Sequence, residues 1–176
     1  KSKEFLHALG DFIESLGGAF LTGVDMGLSF EDAKIIGERT KYIFNSQGSS
    51  GVTTAHGVFK GIKETVSYAL KKDNLKDVPI AVQGLGAVGG TLVELLVAEG
   101  AKVFVSDIDP EITKKYSSIA TVVDNDLIHS IKCDVFAPCA VGEIINDKTI
   151  NELQCKIIAG GANNQMKDEI KHAEKL

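Results

Sequence analysis

Residues 78–107 read VPIAVQGLGAVGGTLVELLVAEGAKVFVSD, and the order of features in this stretch decides the fold. A short apolar run, Ile80-Ala81-Val82, breaks into a glycine turn in which Gly84, Gly86 and Gly89 keep the G-x-G-x-x-G spacing. A helical pattern follows with Val88, Leu92, Leu95 and Leu96 on one side. A second apolar run, Val103-Phe104-Val105, then ends at Asp107. Strand, glycine turn, helix, strand and acid in this order are what dinucleotide binding requires. Gly84 permits the tight turn, Gly86 removes a β-carbon where the main chain approaches a pyrophosphate, and Gly89 lets helix pack closely on strand. The free N–H groups and the positive dipole end of the helix then face the phosphates, and Leu85, Ala87 and Val88 in this turn are counted among the cofactor-binding residues. Asp107, with Ile108 beside it, stands eighteen residues after Gly89. There a carboxylate accepts hydrogen bonds from the adenosine ribose and repels a 2′-phosphate, so NAD is expected rather than NADP. The competing reading of the same residues is a glycine-rich turn in another kind of α/β protein.

Composition narrows the partners. The 176 residues suffice for one substantial domain, or a domain plus part of another, and 44% hydrophobic residues support a real core. With 24 acidic against 19 basic residues the net charge is −5. No Lys/Arg cluster has the scale of a nucleic-acid footprint, so neither nucleic acid nor an anionic membrane surface is expected as a partner. The longest apolar region, Leu92 to Ala98, is interrupted by Glu94 and is too short to span a bilayer. Cys133, Cys139 and Cys155 are odd in number and lack C-x-x-C spacing, which points to neither a disulfide framework nor a zinc site, and to a reducing cytoplasm as the location. The start, KSKEFLHALG, has no initiator methionine and no signal core, and reads as a chain entered partway.

Along the chain, residues 2–16 carry Phe5, Leu6, Leu9, Phe12, Ile13 and Leu16 at helical spacing, and Gly17-Gly18 ends that helix. Residues 19–22 read as a strand. Ser29 with Asp32 resembles an N-cap for a helix whose stripe of Ala33, Ile36, Thr40 and Ile43 continues to about Phe44. Asn45 to Gly51 is the hinge candidate, and a long helix over 53–72 follows with Val58, Ile62, Thr65, Val66 and Ala69 on one face. Strands are predicted near 102–106, 120–123, 133–137 and 156–159. Helices are predicted near 87–99, 110–116, 125–130, 147–153 and 165–174. That alternation implies a doubly wound α/β fold with a parallel sheet covered on both faces.

Three further stretches exceed what a generic dinucleotide fold needs: GGAFLTGVDMG at 17–27, DVFAPCAVGEIIN at 134–146 and IIAGGANNQ at 157–165. With VQGLGAVG and VSDID they resemble, in order and spacing, the amino-acid dehydrogenases of the glutamate, leucine, phenylalanine and valine family, the leucine-type branch above all. The resemblance implies a Rossmann-type NAD-binding domain at 46–176. Residues 1–45 are then the last part of an incomplete substrate domain. It implies NAD-dependent oxidative deamination of an L-amino acid, branched-chain first, to a 2-oxo acid and ammonia, by a cytoplasmic homo-oligomer. The family's T-x-E-D-x-G stretch corresponds to residues 22–27, which assigns proton transfer to Asp25 together with a lysine in the cleft between two domains. Asp25 could instead satisfy a turn through its side chain. The resemblance also puts Thr54 near the nicotinamide carboxamide, Pro138-Cys139-Ala140 against the cofactor, and Asn163 at the nicotinamide ribose or substrate.

The pattern departs from the family at Ala19, Val24 and Gly161, where arginine, glutamate and serine are usual. The family's catalytic lysine lies in a G-G-G-K segment, and these 176 residues contain none, so the chain is expected to bind NAD without turning over substrate alone. The alternatives are a stand-alone dinucleotide-binding or regulatory module, or a phenylalanine- or glutamate-type enzyme. No base is in view to make Cys139 a nucleophile. His7 and His172 are expected to be solvated and His56 to pack. His129 lacks a partner at metal spacing.

Overall fold

The computed structural model describes residues 1–25, 27–44 and 50–176. Two compact units divide it, Lys1–Ser50 and Gly51–Leu176. The predicted hinge, Asn45 to Gly51, falls for its first five residues outside the described residues.

In the first unit, α1 (Lys3–Ser15) is capped by Ser2, whose hydroxyl accepts from the Phe5 N–H. Its stripe resolves into a narrower face than the spacing suggested. Leu6, Gly10 and Ile13 are buried while Phe5 and Phe12 stay exposed. Gly10 is needed there, since a β-carbon would come within 2.7 Å of the Ile36 carbonyl oxygen. The partner helix α2 (Phe30–Gly37) starts with the capping box expected from Ser29 and Asp32. It stops at Gly37, well short of the predicted Phe44. The carboxylate of Glu14 accepts from the Thr40 hydroxyl at 2.8 Å and the Lys41 N–H at 3.1 Å. The Thr40 hydroxyl in turn accepts from the Tyr42 N–H. These bonds draw the chain out of the helix into β2 (Ile43–Phe44), which pairs in parallel with β1 (Thr22–Gly23), a strand lying later than predicted.

The second unit begins with α3 (Ser50–Leu70), whose buried line is Ala55, Phe59, Ile62 and Val66. Thr65 and Ala69, predicted on that face, are exposed. Five strands follow: β3 (Pro79–Gln83), β4 (Lys102–Ser106), β5 (Thr121–Val122), β6 (Val135–Pro138) and β7 (Ile157–Ile158). They form one all-parallel sheet in the order β5-β4-β3-β6-β7. The helices α4 (Ala87–Ala98) and α5 (Pro110–Tyr116) are the first crossovers. Alternation along β3 sends Ile80 and Val82 to the main core, shared with α3, α4 and α5, and Ala81 to a second core with Phe136, Ile128 and Cys133. The doubly wound α/β class is as expected. The second face, however, is covered by single 3₁₀ turns at Ile128–Ser130 and Thr149–Asn151 where longer helices were predicted. The last helix, α6 (Glu169–Ala173), is also shorter than predicted. No described helix is long and apolar enough to cross a membrane.

Candidate functional site

The sheet order puts β3 at its centre, with β4 reached on one side and β6 on the other. The strand order reverses there, which in open parallel sheets is where a ligand crevice forms at the carboxyl ends of the strands. Every predicted cofactor residue from 84 to 140 lies at that end.

Gly84 leaves β3 with φ +87°, a conformation unfavourable for side chains. A β-carbon on it would also sit 2.8–2.9 Å from Ala140. Gly89 lies against the Gly84 carbonyl so closely that no β-carbon fits. Gly86 differs: nothing stands within 4 Å of where its β-carbon would be, so this side of the turn is open. Gly86 is the N-cap of α4 and offers no side-chain cap, and the first main-chain bond of that turn runs from the Gly90 N–H to the Gly86 carbonyl. The donors of Ala87 and Val88 therefore lie ahead of the intrahelical ladder, on the exposed side of the turn. An open glycine before an uncapped helix start fits an anionic diphosphate. Leu85, between the two glycines, is buried in the main core and anchors the turn.

Asp107 directly follows β4, and its carboxylate is held twice. One oxygen accepts from the Leu85 N–H at 2.7 Å and the other from the Asp109 N–H at 2.9 Å. The Gly84 N–H donates to the Ser106 carbonyl at 2.8 Å, so the end of β4 grips the turn at two successive residues. The spacing of glycines and acid predicted their proximity to one ligand. It did not predict that they bind each other. Ile108 beside them is 87% exposed.

On the other flank, the Cys139 N–H donates to the Gln83 carbonyl at 2.7 Å and the Ala162 N–H to the Pro138 carbonyl at 2.9 Å. Pro138, Cys139, Ala140 and the 160–162 loop thus form a wall beside the glycine turn. Burial pushes the Cys139 thiol up, which keeps it in the unreactive thiol form. Asn163 continues from the same loop and lines a cavity of about 350 Å³ with Ile145, Ile158, Gln165 and Met166. Thr54 is exposed one turn before Val58, and a β-carbon at Gly161 would lie 3.5 Å from Val58. Sequence reasoning missed three contributors. The buried Gln83 has a side-chain carbonyl without a hydrogen-bond donor at the root of the turn. The Tyr116 hydroxyl abuts Gly90. The Gln165 amide donates to the Gly160 carbonyl at 3.0 Å. Gln83 and Gln165 stand inside the quoted motifs, and for Gln83 a polar residue in an apolar strand was the available signal.

In the first unit, Asp25 follows β1 and is exposed, its carbonyl accepting from the Leu28 N–H at 2.9 Å. Its neighbour Met26 in the T-x-E-D-x-G stretch is outside the described residues. The histidines need correction. His172 is 1% exposed and bonded on both ring nitrogens, not solvated. His56, expected to pack, is exposed. His7 is half-buried and bonded to Glu38, and the buried His129 is bonded to Glu152 at 2.6 Å. Burial likewise drives the Cys133 thiol to about 12. Among the described residues no three His, Cys, Asp or Glu side chains are placed to hold a metal ion.

Comparison with known proteins gives a consistent picture. A family model described as Glutamate/Leucine/Phenylalanine/Valine dehydrogenase matches residues 108–173. A leucine dehydrogenase from Thermoactinomyces intermedius is 42% identical over 184 residues, covering 100% of this chain and 50% of the relative. A phenylalanine dehydrogenase from Bacillus thermotolerans is also 42% identical, covering 100% of this chain and 49% of the relative. Among solved structures, L-tryptophan dehydrogenase from Nostoc punctiforme superposes with a TM-score of 0.77 at 40% identity over 99% of this chain and 51% of that one. The chain therefore spans about half the length of the curated relatives it matches.

Proposed function

We propose, from the premise that this chain belongs to the glutamate/leucine/phenylalanine/valine dehydrogenase family, that its second unit holds NAD. The whole protein then deaminates an L-amino acid oxidatively to a 2-oxo acid and ammonia. The observation that carries the reading is the glycine turn itself, open at Gly86, uncapped at α4 and gripped by the acid that ends β4. The N–H groups at the start of α4 would bind the diphosphate. Asp107 would accept from the ribose hydroxyls through lone pairs its main-chain donors leave unused, and its charge would exclude a 2′-phosphate. Pro138, Cys139, Ala140, Thr54 and Asn163 would flank the nicotinamide end. Bound NAD supplies the hydride acceptor. Asp25 would move protons between substrate amine, water and a lysine that the resemblance assigns to a segment these 176 residues do not contain.

The preferred substrate is a branched-chain amino acid, as in leucine dehydrogenases, within a cytoplasmic homo-oligomer. An aromatic substrate is the second reading, favoured by the equal identity to a phenylalanine dehydrogenase. Under either reading, residues 1–45 belong to the substrate domain. Calorimetric titration of the chain with NAD and NADP, repeated on Asp107→Ala, tests the cofactor. Tight binding of NAD alone is expected, and equal affinity of the unsubstituted chain for both cofactors would remove the role of Asp107. Deamination of leucine against phenylalanine by the full-length protein decides the substrate. Asp25→Asn should abolish that turnover and leave NAD affinity unchanged.

A further inference from the structure

Beyond the crevice, residues 142–147 and 163–168 run side by side. The Glu143 N–H donates to the Asn164 carbonyl at 2.6 Å, the Ile145 N–H to Gln165 at 3.0 Å, and the Lys167 N–H back to Ile145 at 2.9 Å. Ile145 and Met166 form an isolated parallel bridge. Asn163 stands at the head of this ladder and His172 at its foot. The ring of His172 is buried. Its Nδ1 accepts from the Asp168 N–H at 3.2 Å, and its Nε2 faces the Asp147 carboxylate at 3.2 Å. A main-chain N–H can only donate, so Nδ1 carries no proton, and Nε2 must hold the proton that goes to Asp147. Asp147 is kept an acceptor by the Lys171 ammonium, which holds its carboxyl below the usual range. The charged group bonded to the ring is Asp147; Lys171 bonds that same carboxylate, and Asp168, the α6 cap, meets the ring through its main-chain N–H while its carboxylate accepts from the Lys171 N–H.

The geometry points to a positioning role. We infer that neutral His172, in its Nε2–H tautomer, joins the two sides of the ladder and so holds Asn163 and Gln165 where the nicotinamide half of the cofactor would bind. This rests on the NAD reading above for its ligand but not for its structure. Nitrogen-15 NMR of the 176-residue chain at neutral pH should find the bare ring nitrogen at Nδ1. His172→Phe keeps an aromatic ring of somewhat larger size and removes both bonds. It should speed amide exchange at Ile145 and Lys167 about tenfold and weaken NADH binding about fivefold, the scale of one lost hydrogen bond. Asp147→Asn in the otherwise unsubstituted chain retains an acceptor for Nε2–H and should keep most of the ladder protection and of the NADH affinity. A bare Nε2, an imidazolium, or unchanged ladder exchange in His172→Phe would overturn the latch. A loosened ladder with unchanged NADH affinity would overturn the positioning role. Failure of the unsubstituted chain to bind NADH would overturn the cofactor reading and the positioning role together, while the tautomer and exchange results would still judge the latch.

Discussion

Asp25 and Asp107 each follow the carboxyl end of a parallel strand, yet the two regions are built very differently. Asp107 directly follows a five-residue strand with neighbours on both sides, and its carboxylate reaches back to the Leu85 N–H at 2.7 Å. Asp25 follows a two-residue strand in a two-stranded sheet and is exposed. The precision of a side chain is inherited from the constraints on its backbone. A central strand in a closed core supplies many, and a short edge pair supplies few. The turn to which the cofactor role is assigned is therefore braced by the five-stranded sheet, whereas the acid assigned to proton transfer follows a two-residue strand.

The sharpest way to break that comparison is Gly89→Ala. Its β-carbon would collide with the Gly84 carbonyl, and backbone cannot move aside as a flexible side chain can. A loss of about 3 kcal/mol in the stability of the second unit is expected, together with loss of NADH binding. Denaturant unfolding and a fluorescence titration read both. If the variant folds and binds normally, the turn is far softer than its packing implies.

Asp107→Asn sharpens the contrast from within. An amide has one acceptor oxygen, while the site presents two N–H donors, those of Leu85 and Asp109, one to each carboxylate oxygen. One donor must then face an NH₂ group. NADH affinity should fall by about 2 kcal/mol, roughly thirtyfold, as for a lost charge-assisted bond. Discrimination against NADPH should shrink at the same time. Calorimetry that shows selectivity relaxed without any loss of NADH affinity would make Asp107 a reader of the ribose and not a brace for the turn.

The smallest effect belongs to the first unit. The Thr40 hydroxyl and the Lys41 N–H hold the Glu14 carboxyl below the usual range. A carboxyl lowered on folding adds stability that is present at neutral pH and is lost as pH falls through its lowered range. Glu14→Gln and mild acidification should both loosen the pairing of β1 with β2 and leave the five-stranded sheet intact. Amide exchange at Ile43 against that at Val82 measures the difference. Equal sensitivity of the two amides would erase the contrast between the units.

Much of this was legible in the residues because the determinants are local. Ser29 and Asp32 cap a helix within four residues, and Gly84 meets a φ of +87° through its own lack of a β-carbon. The failures are equally specific. The stripe through Thr40 and Ile43 looks helical until a carboxylate 26 residues away captures the chain. His172 reads as a polar surface residue until Asp147, 25 residues earlier, closes over it. Gln83 gives no hint in its spacing that its amide carbonyl is buried without a donor.

The sequence by itself determined the parallel α/β sheet, the glycine turn and the acid that ends β4, since alternating apolar runs and glycine spacing act over one or two elements. Only the tertiary structure decided that the Asp107 carboxylate binds the turn, where α2 gives way to β2, and that the His172 ring is buried between the Asp168 N–H and Asp147. Those outcomes depend on hydrogen bonds between residues distant in the chain, and whether such bonds form depends on which groups folding brings together out of water.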